Sequence, residues 1–325
     1  MKTGFRRLHG VAMLVAFSLA ASFAQAQSWP SKSIRIVVPN APGSAPDLLS
    51  RLWAERVGKA LGQSIVVENN IAGSGLVAAQ IGAKAAPDGY NLFLATVVTH
   101  ATNPSMFKSL PYDPAKDFAP IAFLMDDGPY IVGVHPSVPA KNFAELLSLV
   151  KAQPGKYSFA ADAGLAGIAG RWLWKTAGAD IVYVPYKQIA PSLQDVVGGR
   201  IEAIIISPSA AEAFIKSGKL RMIGVTSKRR FPGAENLAPI SDSVPGVEFG
   251  GWFTVSAPAG TPAEIITRVN RETAEFLSVP EIDARIRGFG WFSSGAGTPA
   301  SVGEFWRVER EKWGRIIREV GIQPE

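Results

Sequence analysis

The sequence predicts an α/β protein of two lobes with a hinge and a ligand cleft between them. Three observations carry this prediction: a strand–loop–helix unit over 34–62, a regular alternation of short β-rich and helical segments, and two tracts that divide this alternation into two sets. Alternating strands and helices are typical of layered α/β folds with largely parallel sheets. Two such sets favour two lobes over one large sheet, because domains usually contain about 100–150 residues.

An export leader comes before these elements. Three basic residues precede a mostly apolar run over 11–21, and Ala24-Gln25-Ala26 has the A-x-A form of a cleavage site. The apolar run is shorter than the roughly 20 residues that span a bilayer. We therefore expect a signal peptide over 1–26 and a periplasmic mature chain, with an uncleaved membrane anchor as the alternative.

Composition excludes several classes of protein. The formal net charge of +6 includes three basic leader residues and no leader acid, so cleavage lowers it to +3. No basic stripe with interleaved aromatic residues is present, and we expect no nucleic-acid partner. The chain has no cysteine. A protein of this size buries enough apolar surface to fold without disulfides.

The first unit places a polar loop at the end of a buried strand. A strand over 34–38 enters a loop of Pro, Gly, Ser and Asn over 39–47, and a helix over 48–61 stops at Gly62. The first N–H groups of a helix have no partner within it, and they favour anions. We expect this loop to bind polar or anionic groups of a ligand. Asp47 suits a helix cap as well as a ligand contact.

The remaining segments fall into two sets. In the first set the pattern predicts strands over 64–68, 91–96 and 121–125 and a helix over 75–86. In the second set it predicts strands over 130–134, 157–161, 181–184, 201–206 and 220–226 and helices over 143–152, 169–177 and 191–197. A strand over 249–257 and helices over 263–277 and 301–320 close the chain.

Two tracts mark the crossings between the lobes. One is the break near 126–129, and the other is the Gly- and Pro-rich tract over 231–251. Lobe 1 is therefore predicted over 27–126 and 250–325, and lobe 2 over 127–249. A cleft between two lobes is a common place for a ligand.

The sequence offers little support for a cofactor, a metal or catalysis. The segment 73–78 has the G-x-G-x-x-A form, but it follows the second strand and no acidic residue closes the next one. A close-packed helix start explains it better than a nucleotide, so we expect no cofactor. No serine lies in a G-x-S-x-G motif, and the two histidines after the leader, His100 and His135, are too far apart in sequence for a zinc motif. His100 follows the 91–96 strand, where it could donate to a ligand or only hold the loop.

Several ordered motifs resemble a known family. The segment 103–114, NPSMFKSLPYDP, followed by DFAP over 117–120, is similar to the signature of the Bug receptors, the solute-binding components of tripartite tricarboxylate transporters. Further similar segments are PDGY over 87–90, VPYK over 184–187, PSLQDVVGGRIE over 191–202 and APAGTP over 257–262. The resemblance implies the type II periplasmic binding-protein fold. It also implies an organic-acid ligand whose carboxylate is held by main-chain N–H groups of the first loop and of the matching loop in lobe 2.

The sequence departs from the family in the two loops expected at the ligand. Asn40 stands where an aromatic residue is usual and Ser44 where a second glycine is usual. In the lobe 2 loop, Gly167 replaces the usual histidine and Arg171 the usual glutamate. Asp162 could repel an anion, and Arg171 could compensate if it faces the cleft. These changes favour a ligand that is bulkier, more apolar or less charged than a standard dicarboxylate. Alternatively, these substitutions do not change the ligand, because the main-chain N–H groups of the loops still bind its carboxylate.

These observations predict a periplasmic receptor that captures a small carboxylate, aromatic acids included, for a tripartite tricarboxylate-type transporter. We expect a monomer that works with membrane transporter subunits. A secreted enzyme such as a hydrolase, or a ligand sensor that feeds a signalling partner, are the alternatives, and no nucleophile–base set supports the first. The predicted ligand-binding residues are Asn40, Ala41, Gly43, Ser44, Asp47, Thr96, Thr99, His100, Asp162, Ala163, Gly164, Ala166, Gly167, Tyr186 and Ser207.

Overall fold

The computed structural model describes residues 29–231 and 234–324. The predicted signal peptide lies outside these residues. The strands are β1 (Ile34–Val38), β2 (Ile65–Asn69), β3 (Asn91–Thr96), β4 (Phe118–Pro129), β5 (Ile131–Val134), β6 (Ser158–Asp162), β7 (Val182–Tyr186), β8 (Ala203–Ile206), β9 (Arg221–Val225) and β10 (Gly250–Pro258). The α-helices are α1 (Ala45–Leu61), α2 (Leu76–Lys84), α3 (Asn103–Met106), α4 (Phe143–Ala152), α5 (Leu165–Thr176), α6 (Ile189–Val197), α7 (Pro208–Lys216), α8 (Ala263–Ser278), α9 (Pro280–Gly288) and α10 (Pro299–Glu319).

The strands form two separate five-stranded sheets. The first has the order β2-β1-β3-β10-β4 and the second the order β7-β6-β8-β5-β9. The chain passes from the first sheet to the second between β4 and β5 and returns between β9 and β10. We call the first sheet with its helices lobe 1 and the second sheet with its helices lobe 2. This two-lobe α/β architecture confirms the predicted fold class. The domain boundaries drawn after residues 126 and 249 lie beside these crossings and stay predictions.

The expectation of largely parallel sheets is only half right. β1 pairs in parallel with β2 and β3, and β6 pairs in parallel with β7 and β8. In contrast, β10 is antiparallel to both β3 and β4, and β5 is antiparallel to both β8 and β9. The reason is the connection between the lobes: the chain leaves the first sheet along β4 and re-enters it along β10, so these two strands run in opposite directions.

Burial explains why the first unit folds as its sequence predicts. β1 lies between β2 and β3, and four of its five residues are buried. Trp53 of α1 is 0% exposed, and its Nε1 donates to Thr273 Oγ1 at 3.0 Å. The helix begins at Ala45, before the predicted start at residue 48, because proline is tolerated in the first turn, where no N–H is needed.

The sequence interpretation missed α7, although this helix begins at the cleft. Only Pro208 and Ala211 of its nine residues are buried. The helix has only nine residues, fewer than the roughly 11–18 over which apolar periodicity, the main sequence signal for a helix, is read. The short helices α3 and α9 were missed as well.

The last helix joins the two lobes. Trp306 and Trp313 of α10 are buried, as their spacing of seven predicts, in an apolar cluster that includes residues of both lobes. At the far end, Arg171 Nη2 donates to the Val320 carbonyl at 2.6 Å and Trp172 Nε1 donates to Glu319 Oε2 at 3.0 Å. Arg171 therefore faces the end of α10 and cannot compensate for Asp162 in the cleft. No helix in the part of the chain that the structure describes is long and apolar enough to cross a membrane.

Candidate functional site

A cavity of about 520 Å³ lies between the two lobes. Lobe 1 lines it with Pro39, Asn40, Ser44, Ala45, Pro46, Ser74, Thr96, Val97, Val98, Thr99, Met125, Gly251, Phe253 and Trp291. The end of β4 adds Gly128 and Pro129, the crossing to lobe 2 adds Tyr130, and lobe 2 adds Asp162, Gly164, Leu165, Ile189, Ser207 and Ser209. The volume lies within the usual range of small-molecule sites, about 300–1,000 Å³.

Four helices begin at this cavity. α1 starts there after Ser44, α5 after Gly164, α6 after Gln188 and α7 after Ser207. None of these four residues forms a side-chain cap to its helix. Free N–H groups and the positive ends of the helix dipoles make such starts suitable for anions. The cavity is thus a place where a carboxylate can cap a helix that the protein leaves uncapped.

Charged side chains are almost absent from the cavity lining. Among the described residues that line it, the single charged one is Asp162, an acid. Burial raises the pKa of Asp162, while a hydrogen bond from the Gly164 amide opposes this effect. Since the part of the lining that the structure describes has no Lys or Arg, a ligand anion would depend on main-chain N–H groups and hydroxyls.

Two threonines fix the floor of the cavity after β3. The Thr96 amide donates to Thr99 Oγ1 at 3.1 Å, and the Thr99 amide donates to Thr96 Oγ1 at 3.2 Å. Both residues are buried and line the cavity. Their reciprocal bonds hold the turn that follows β3 rigidly, so both hydroxyls have defined positions at the cavity.

Ser74, which the sequence analysis did not select, also lines the cavity. It has a φ of 54°, in the left-handed region that non-glycine residues rarely adopt. The neighbouring Gly75 packs closely: a Cβ there would lie 3.0 Å from Thr99 Cγ2 and 3.1 Å from Pro39 Cβ. This close packing explains the G-x-G-x-x-A segment as a tight helix start. Strained backbone of this kind is often found at binding sites.

An apolar wall lines the cavity on the lobe 1 side. Met125 from β4 and Phe253 from β10 stand beside Trp291, and the ring centroids of Phe253 and Trp291 are 5.3 Å apart at 64°. These residues are far apart in sequence, and no local motif marks them. The tertiary structure alone brings them together. An edge-to-face aromatic pair of this kind offers a surface for an apolar or ring-shaped ligand body.

Hydrogen bonds to the Asp47 carboxylate, including one from the Gly43 amide, stabilise the loop over 39–47. Asp47 is 1% exposed, and its carboxylate accepts hydrogen bonds from the Gly43 amide at 2.8 Å, Arg51 Nε at 3.0 Å and Asn69 Nδ2 at 2.8 Å. Burial favours a raised pKa, but these hydrogen bonds outweigh it and hold the pKa of Asp47 below its usual value. The Gly43 N–H, expected at the ligand, is therefore already occupied by Asp47.

His100 lies in the core of lobe 1 and not at the cleft. It is 0% exposed, and its ring lies 4.7 Å from Phe118 and 4.5 Å from Trp306 between centroids. Its Nδ1 is 3.0 Å from Thr99 Oγ1. Of the two roles that the sequence left open, the structure supports the one in which His100 holds the loop. Its position after a strand suggested the cleft because sequence does not show which way the chain turns.

Burial of His100 predicts a pH-dependent stability. Burial, with a smaller contribution from Arg310, lowers the pKa of His100 to about 3. The folded chain therefore keeps the ring neutral, whereas the unfolded chain binds a proton as the pH falls below the ordinary pKa of about 6.5. The contribution of the neutral ring to stability is therefore fully present above about pH 6.5, and it is lost as the pH falls toward the pKa of His100 in the folded chain.

From about pH 7 to about pH 5, the free energy of unfolding of the wild type should fall by about 2 kcal/mol more than that of His100→Gln. Urea unfolding of both proteins at the two pH values measures the difference. Equal losses, or a histidine ring that titrates near its ordinary pKa by NMR, would contradict this expectation.

The structure separates the predicted site residues into two groups. It brings together at the cavity Asn40, Ser44, Thr96, Thr99, Asp162, Gly164 and Ser207. It places outside the lining Ala41, Gly43, Asp47, His100, Ala163, Ala166, Gly167 and Tyr186. Whether the first group binds a ligand stays a prediction. Ser209, which was missed, carried a usable signal: it follows Ser207-Pro208, and proline often occupies the first position of a helix.

The lobe 2 residues outside the lining have structural roles. The Ala163 amide donates to the Tyr186 carbonyl at 3.0 Å, and the Tyr186 hydroxyl bonds Asp195 of α6. Ala166 lies in the first turn of α5 and is fully buried. At Gly167 a Cβ would lie 2.2 Å from Tyr183 Oη, so α5 depends on glycine for its close approach to β7. Within the described ranges, no group of His, Asp or Glu has the arrangement of a metal site.

Comparison with known proteins identifies the family. The model of the tripartite tricarboxylate transporter family receptor matches residues 49–322. The chain belongs to this family. The receptor is also 32% identical to a UPF0065 protein of Bordetella bronchiseptica, over 98% of this chain and 97% of the other. It is 30% identical to BugT of Bordetella pertussis, over 98% of each chain. The resemblance read from the motifs is confirmed.

Solved structures of similar proteins share the fold of the receptor. The R. palustris protein Rpa4515, solved with adipate, is 34% identical with a TM-score of 0.79, over 91% of this chain and 100% of that chain. MatC of Rhodopseudomonas palustris, solved with bound malate, is 26% identical with a TM-score of 0.73, over 89% of this chain and 100% of that chain. These relatives are binding receptors of the same two-lobe architecture, and both ligands are organic acids.

Proposed function

We propose that this receptor captures a small carboxylic acid in the cavity between its lobes. The observation that carries the proposal is the convergence of four uncapped helix starts on a cavity lined by no Lys or Arg. A carboxylate satisfies the free N–H groups there. A ligand that bridges both lobes binds the closed form more tightly and so favours closure. The ligands of Rpa4515 and MatC, adipate and malate, support a carboxylate for this chain as well.

The proposal includes the cellular location of the receptor and its protein partners. The apolar run and the A-x-A signal support export with cleavage after Ala26. The family supports a partnership with the membrane subunits of a tripartite transporter, and we propose a monomer that delivers its ligand to them without chemical change. The N-terminal residue of protein recovered from a periplasmic fraction tests export: we expect Gln27, and an intact Met1 would contradict it.

Thermal-shift screening against mono-, di- and aromatic carboxylates tests ligand capture. A bound acid at about 100 times its dissociation constant adds roughly 2.7 kcal/mol to the free energy of unfolding. Small-angle scattering of the stabilised complex should show a smaller radius of gyration, because the lobes close. Chromatography of the recovered ligand separates a receptor from an enzyme: unchanged acid supports the proposal, and a product contradicts it.

A further inference from the structure

The lobe 2 side of the cavity carries an uncompensated negative charge. Asp162 ends β6 and is the one charged residue in the lining. Among the ion pairs of residues 29–231 and 234–324, none includes Asp162. Arg171, the cation expected to compensate for Asp162 if it faced the cleft, bonds Val320 instead. A second anion at this end of a ligand would therefore meet repulsion without relief.

The Asp162 carboxylate also occupies one main-chain donor of its own loop, and a second donor is bonded elsewhere. Its Oδ1 accepts a hydrogen bond from the Gly164 amide at 2.7 Å, directly before α5. The Ala163 amide is bonded to the Tyr186 carbonyl at 3.0 Å. Both donors are thus satisfied within the protein. The carboxylate of the protein itself lies where the second carboxylate of a ligand would approach the start of α5.

The lobe 1 side of the cavity differs from the lobe 2 side: its described lining residues are uncharged, and a main-chain N–H group there has no hydrogen-bond partner in the part of the chain that the structure describes. The Ala45 amide, at the start of α1, makes no hydrogen bond within the described residues, and Ala45 and Ser44 line the cavity beside no charged side chain of the lining. The apolar wall of Met125, Phe253 and Trp291 lines the lobe 1 side of the same cavity. The cavity therefore combines a helix start suited to an anion on lobe 1, an apolar wall, and a carboxylate suited to a hydrogen-bond donor on lobe 2.

We propose that the receptor selects monocarboxylates that carry a hydroxyl or ammonium group at the far end, and discriminates against dicarboxylates of the same length. The ligand carboxylate binds at the start of α1, its apolar body contacts the wall, and its donor group binds Asp162. This inference rests on the proposed function and makes it narrower.

Calorimetric titration with matched acids tests the inference. One series shares a six-carbon chain: adipate, hexanoate, 6-hydroxyhexanoate and 6-aminohexanoate. A second shares a benzene ring: terephthalate and the 4-methyl, 4-hydroxymethyl and 4-aminomethyl benzoates. In at least one series the hydroxy-substituted or the amino-substituted carboxylic acid should bind the wild type at least about tenfold more tightly than the dicarboxylate does. In Asp162→Asn this preference should shrink about tenfold or more, because asparagine keeps the acceptor for Gly164 and removes the charge.

Asp180→Asn is the matched control, since Asp180 is an exposed acid of lobe 2 outside the cavity lining. It should keep the wild-type ranking. A dicarboxylate that binds the wild type as tightly as its hydroxyl and amino partners in both series would overturn the selectivity and leave carboxylate capture intact. An unchanged preference in Asp162→Asn would overturn the role of Asp162. Binding of no acid from either series would overturn carboxylate capture and this inference together.

Discussion

Replacing Ser44 with aspartate should lower the affinity for a carboxylate ligand by at least about 100-fold. Ser44 is the N-cap of α1, lines the cavity and makes no side-chain cap. An aspartate there would offer its own carboxylate to the first N–H groups of the helix. It would also repel the ligand: two charges about 5 Å apart at an effective dielectric constant of about 20 interact with about 3 kcal/mol. Calorimetry with the acid that gives the largest thermal shift measures the loss.

Ser44→Asn separates charge from shape in this experiment. Asparagine has nearly the size of aspartate and is an equally favoured N-cap, so both variants should fold. Ser44→Asn should lose much less affinity than Ser44→Asp, because it adds no charge. If the two variants bind the acid equally well, the start of α1 is not the anion site.

Gly167→Ala should destabilise the protein by about 3 kcal/mol, the upper part of the usual range for overpacking. A Cβ at Gly167 would lie 2.2 Å from Tyr183 Oη and 2.3 Å from the Asp162 carbonyl oxygen. The second atom belongs to the backbone at the end of β6, so a side-chain rotation cannot remove the clash. The Tyr183 hydroxyl, which donates to the same carbonyl at 3.1 Å, would also be displaced. Urea unfolding monitored by circular dichroism measures the change.

Gly288→Ala is the control for this substitution. A Cβ at Gly288, in the last turn of α9, would meet no atom within 4 Å. The same Gly-to-Ala change should therefore cause no clash there. It should stabilise the protein by up to about 1 kcal/mol, because alanine lowers the conformational entropy of the unfolded chain. Equal unfolding midpoints for the two variants would contradict the close packing of α5 against Tyr183.

The position of Gly167 also explains a departure of this chain from its family. The resemblance places a histidine at this position in other members, and the sequence alone left open whether its loss changes the ligand or has no effect. The structure shows that Tyr183 fills the space beside Gly167. The glycine thus belongs to the packing of α5 on the sheet and does not line the cavity.

The sequence determined the layers of the fold and part of the candidate site. Periodicity and turn residues are local, and they sufficed for most strands and helices. Asn40, Ser44, Asp162 and Ser207 were predictable because loops at the carboxyl ends of strands meet at the ligand-binding edge of such sheets. The family motifs added the type II periplasmic binding-protein fold.

The tertiary structure decided the character of the site. Met125, Phe253 and Trp291 come from distant segments, and only the packing of β4 against β10 and of the loop before α10 brings them to one wall. The burial of His100 and the turn of Arg171 toward Val320 depend on where α10 lies. Side-chain direction and long-range packing are not encoded in any local pattern. The loops that supply hydrogen-bond donors to the cavity could therefore be predicted from the sequence, whereas the charge and the shape of the cavity follow only from the tertiary structure.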